Sequence, residues 1–128
     1  MDCCCIRKYL QQNPKGIVMG GLIFIPMFII GHMLVWAQSN GQFKWDFFKN
    51  NLWFTCLMGI PLSYIFITGT KLGYQFFGNL WPLRIIGFSI GTIVFSFMTY
   101  YFMGEALTPK TIICILLSVI IILVQVFM

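Results

Sequence analysis

The chain has 128 residues, 59% of them hydrophobic and only 9% charged, with a formal net charge of +5 and a mean hydropathy of +0.89. Eight Lys and Arg and three Asp and Glu cannot coat a soluble domain of this size, which excludes an ordinary water-soluble fold. The basic residues Arg7, Lys8, Lys15, Lys44, Lys49, Lys71, Arg84 and Lys110 fall in the tail and at the ends of apolar runs, where lipid headgroups favour them, and they form no basic groove for nucleic acid.

Four apolar runs, each long enough to cross a bilayer of about 30 Å, predict an all-α, four-helix transmembrane domain over residues 17–128 behind a short tail, 1–16. Span one covers 17–37 and carries a single titratable group, His32, with Asn13 and Pro14 as its cap and first-turn proline. A cleaved signal peptide is disfavoured because the apolar stretch is too long and ends in Trp36-Ala37-Gln38, without a small-x-small site. Residues 38–51 mix Lys44, Asp46 and Lys49 with Phe43, Trp45, Phe47 and Phe48, a pattern that suits the headgroup layer. Span two, 52–70, contains Pro61, whose missing N–H frees a carbonyl that a hydroxyl such as Ser63 can help satisfy.

A second interfacial loop, 71–84, with Trp81 and Pro82, leads to span three, 85–103. The short connection Gly104-Glu105-Ala106-Leu107-Thr108 then leads to span four, 111–128, with Thr108 and Pro109 as cap and first-turn proline. Spans three and four should form an antiparallel hairpin. Thirteen Leu, Ile, Val and Phe residues against one Gln125 make span four strongly membrane-inserting. Five Lys and Arg in the tail and second loop against three in the other loops predict cytoplasmic termini.

The few polar residues within the spans follow helical spacing. Ser89, Thr92, Ser96 and Thr99 share a narrow stripe at about 100° per residue, with Gly87 and Gly91 roughly opposite. Thr111, Cys114, Ser118 and Gln125 form a similar stripe in span four, and Thr55, Gly59 and Ser63 another in span two. Such residues chiefly allow close helix approach and interhelical hydrogen bonds; converging stripes would instead build a polar interior. The substrate-path candidates are therefore His32, Ser63, Ser89, Thr92, Ser96, Thr99 and Ser118, and the packing candidates Gly59, Gly87 and Gly91.

An intramembrane histidine is a functional candidate, although a neutral His32 bonded to a facing Ser or Tyr is favoured over a proton relay, because no carboxylate lies mid-span. One histidine, three dispersed acids and no Cys-x-x-Cys pair supply neither a catalytic triad nor a zinc set. No enzyme activity, metal or cofactor is expected. Five cysteines form no disulfide framework; Cys3, Cys4 and Cys5 beside Arg7 and Lys8 are candidate acylation sites.

The stretch FMGEALTPKTIICILLSVIIILVQVF resembles the last hairpin of the drug/metabolite transporter superfamily, where an aromatic-rich helix end meets Gly-Glu or Gly-Gln, then a Leu, then a very apolar final helix. Size and four-span layout are similar to the small multidrug resistance branch. The resemblance implies that Gly104 and Glu105 form a structural turn. It does not extend to proton-coupled cation export, since Pro26, Met27 and Phe28 stand where the multidrug members carry a mid-span glutamate. Small members without that carboxylate resemble subunits of lipid-carrier flippases. Because transporters build their site between two repeats and this chain supplies one, transport requires a homodimer, or a heterodimer with a similar small membrane protein, with Gly87 and Gly91 as one contact ridge. The expectation is a half-transporter for a small amphipathic or lipid-linked solute. The alternatives are an accessory or assembly membrane protein, including a virally encoded modulator of another membrane protein, and a lipid-anchored scaffold organised by the cysteine tail.

Overall fold

The structure, a computed structural model, describes the backbone of residues 14–128 and the side chains from residue 23. Cys3, Cys4, Cys5, Arg7, Lys8 and the Asn13 cap lie outside the described residues. In chain order the helices are α1 (Pro14–Asn40), a 3-10 turn (Gly41–Phe43), α2 (Asp46–Asn50), α3 (Leu52–Leu57), α4 (Gly59–Phe77), α5 (Leu80–Met98) with a terminal π-helical turn (Thr99–Met103), and α6 (Pro109–Phe127). Among the described residues four segments are long and apolar enough to cross a membrane: Ile23–Phe43, Leu52–Phe77, Leu80–Met103 and Pro109–Phe127. This is an all-α, multi-pass integral membrane protein.

The predicted loop 71–84 is much shorter in the structure. α4 runs on to Phe77 and α5 begins at Leu80, so only Gly78 and Asn79 connect them. The aromatic residues read as interfacial are compatible with helix, and the chain turns where a residue adopts a left-handed conformation. Gly78 has φ +69°, and its N–H donates to the Tyr74 carbonyl at 2.8 Å, closing the helix end. Lys71 and Arg84 consequently sit inside helices, close enough to the turn for their long stems to reach the headgroups.

Proline acts locally, as expected, but with a different remedy. The second span breaks at Met58 between α3 and α4, because Pro61 has no N–H to offer the Leu57 carbonyl. Ser63 does not serve that carbonyl; its hydroxyl donates to Gly59 at 2.8 Å. In α6 Thr108 caps the helix, its hydroxyl accepting from the Thr111 N–H at 3.3 Å, with Pro109 in the first turn. Gly104, at φ +69°, ends the π-helical turn, and Glu105 beside it is exposed.

α1 is the hub. It packs most extensively on α4 and next on α5, while α6 packs chiefly on α5. The core therefore gathers on α1 and α5, as Phe24, Phe28, Trp36, Leu83, Ile86, Ile90, Val94 and Met98. Of α6 only Ser118 is buried, which leaves its apolar flanks for lipid or for another protein.

Candidate functional site

Close helix approach sets the site. A Cβ at Gly87 would lie 3.0 Å from the Phe28 ring, and one at Gly91 would lie 2.6 Å from two ring atoms of His32. Two of the three predicted packing glycines, Gly87 and Gly91, thus seat α1 on α5 within one chain. Gly59 has only Gln38 near it, 3.6 Å from where its Cβ would stand. Sequence reasoning missed Gly31, Gly69 and Gly73. Gly31 admits the Phe66 ring at 3.1 Å, Gly69 the Phe28 ring at 3.3 Å, and Gly73 the Leu83 side chain. The signal was present, since Gly69 and Gly73 form the same small-xxx-small pair as Gly87 and Gly91.

Phe28 is wedged between Gly69 of α4 and Gly87 of α5, and His32 continues this seam one turn on. The His32 ring stacks on Phe28 with centroids 6.1 Å apart and meets the Phe66 edge at 5.1 Å. Its Nδ1 lies 2.7 Å from the Phe28 carbonyl. A carbonyl only accepts, so Nδ1 carries a proton and donates to it. The partner is thus a backbone carbonyl of its own helix, in place of the expected Ser or Tyr.

The hydroxyl residues do not converge. Thr92, Ser96 and Ser118 each donate to the carbonyl four residues earlier, at 3.0, 2.9 and 2.9 Å, as Ser63 does. Such back-bonding satisfies the hydroxyl inside its own helix. Ser89, Ser96 and Ser118 are buried, Thr92 and Thr99 are half-buried, and Ser63 is exposed. Thr99 alone among them bonds across helices, accepting from Trp36 Nε1 at 2.9 Å. Trp36 also packs on Phe102, which Trp45 contacts in turn, and Lys44 donates to the Phe102 carbonyl. This aromatic cluster ties the α1–α2 connection to the end of α5.

Two kinds of groove flank the seam between α1 and α5. One, of about 740 Å³, has α5 as its floor and is lined by hydrophobic side chains alone, among them Ile25, Ile29, Ile90, Phe97, Ile122 and Val126. The other face holds a groove of about 490 Å³ lined by residues including His32, Phe66, Thr70, Arg84 and Phe88. A smaller one of about 350 Å³ adjoins it at His32 and Phe88 and reaches Gly91, Thr92 and Ser96. Of the predicted path residues, then, His32, Thr92 and Ser96 meet at one groove, while Ser63, Ser89, Thr99 and Ser118 line none of these three.

Among the described residues no three His, Cys, Asp or Glu side chains come together as metal ligands. Cys56 and Cys114 are free and exposed. No protein-family model, curated protein or solved structure matches the chain.

Proposed function

We propose that this protein is one half of a paired membrane carrier that moves an amphipathic or lipid-linked solute by alternating access, as a dimer with itself or with a similar small chain. The observation that carries this reading is the hydrophobic groove between α1 and α6 over α5. Its volume falls in the range of small-molecule sites, about 300–1,000 Å³, and its lining offers no hydrogen bond, so it suits a hydrocarbon tail and not a polar solute. The hairpin resemblance to the drug/metabolite transporter superfamily points the same way. So does the general rule that carriers assemble their site between two repeats. In this reading the termini face the cytoplasm, following the excess of basic residues near the tail and the Gly78 turn.

A second reading, an accessory or assembly subunit, is favoured by a different observation. Ser63, Thr92, Ser96 and Ser118 bond to carbonyls of their own helices, so these hydroxyls are already satisfied and are not held out toward a solute. The full chain, purified in mild detergent and reconstituted into phospholipid vesicles, separates the two. A carrier runs as a dimer and moves at least one member of a panel of fluorescent lipids and lipid-linked sugars faster than protein-free vesicles do. A monomer that moves none of them overturns the carrier reading and leaves the accessory one.

A further inference from the structure

The groove on the far side of the α1–α5 seam differs in chemistry from the hydrophobic one, and the two share no lining residue. Its walls are Phe66 and Ile67 of α4 and Phe88 of α5. His32 lies along it, and Thr70 and Arg84 stand toward the Gly78 turn. Arg84 follows Asn79 by five residues, which places its Cα about 7.5 Å from the turn along the helix axis, within reach of the headgroup layer for a snorkelling guanidinium. Lys71, next to Thr70 on α4, adds an exposed cation to the same end; the helix dipoles offset each other there, since α4 ends and α5 begins at this turn. The described carboxylates, Asp46 and Glu105, belong to the connections at the opposite end. Among the described residues the charged side chains at this mouth are therefore basic, with no Asp or Glu beside them, above a hydrophobic, aromatic-walled trough.

We propose that this groove binds one anionic phospholipid from the leaflet nearest the Gly78 turn. Arg84, with Lys71 and the Thr70 hydroxyl, takes the phosphate group, and one acyl chain lies between Phe66 and Phe88 toward His32. The occupant is a lipid and not a free anion, because a basic mouth continuous with an apolar trough matches a charged head joined to a tail. The assignment does not rest on the carrier reading: an accessory protein with this groove binds the same lipid.

The test uses the full chain in mild detergent, offered equal amounts of dioleoyl phosphatidylglycerol and dioleoyl phosphatidylcholine, with bound lipid counted by native mass spectrometry. Wild-type protein retains phosphatidylglycerol in preference by about fivefold or more, the effect of one basic residue at an anionic headgroup. Arg84→Gln brings the preference close to parity, Arg84→Lys keeps most of it, and Lys110→Gln at the other end leaves it unchanged. Phosphatidylglycerol carrying a photoreactive acyl chain labels Phe66, Ile67 or Phe88. Equal retention of the two lipids by wild-type protein, an undiminished preference in Arg84→Gln, or labelling confined to α6 overturns the proposal.

Discussion

Replacing Gly91 by leucine is expected to force α1 away from α5 and to abolish the folded, monodisperse protein in mild detergent. Even Gly91→Ala should be costly. Its new Cβ would meet two His32 ring atoms at 2.6 Å, well inside van der Waals contact. The ring is held in place, because Nδ1 donates to the Phe28 carbonyl and the ring stacks on Phe28 and meets Phe66 edge to face. Overpacking of this kind costs about 1–3 kcal/mol. A falling unfolding midpoint in Gly91→Ala, recovered in part by adding His32→Ala, identifies the ring as the obstacle. A Gly91→Ala protein as stable as wild type shows that the two helices do not approach as described.

Trp36→Ala is the second large effect. Trp36 is only 1% exposed; its indole N–H bonds Thr99, and its ring faces Phe102 at 5.5 Å. In a bilayer the transfer of apolar surface to lipid contributes little, so the loss comes mainly from the cavity and from the broken hydrogen bond. We expect about 3 kcal/mol of destabilisation, read from denaturant titration of the detergent-solubilised chain. Trp36→Phe should fall between the two, keeping most of the packing but leaving the Thr99 hydroxyl without its donor.

The four span-length helices and the capping of α6 by Thr108 and Pro109 were legible in the sequence because each follows from local physics, run length and first-turn proline, whereas the turn at Gly104 was implied only by the family resemblance. The 71–84 connection was not legible. Aromatic residues signal the membrane interface whether or not they are helical, so Tyr74, Phe76 and Trp81 looked like loop while belonging to α4 and α5. The hydroxyl stripes misled in another way. Helical spacing tells which residues share a face but not what that face meets, and a serine bonded to its own helix looks the same in sequence as one lining a path. Trp36 illustrates the same limit, since nothing in its spacing marks it as a core residue, where the fold places it. The glycines were the most informative small residues. One pair of them was overlooked, and the pair that was noticed seats α1 on α5 within the chain.

The claim that the hydrophobic groove is the working surface is tested most directly by filling it. Ile122→Trp places an indole in the groove from α6, the helix with the fewest constraints on its position. On the proposed carrier reading, vesicles reconstituted with this variant should show lipid flux reduced about tenfold relative to wild type, equivalent to about 1.4 kcal/mol on the barrier, with oligomeric state and unfolding midpoint unchanged. Undiminished flux through the filled groove would contradict the account.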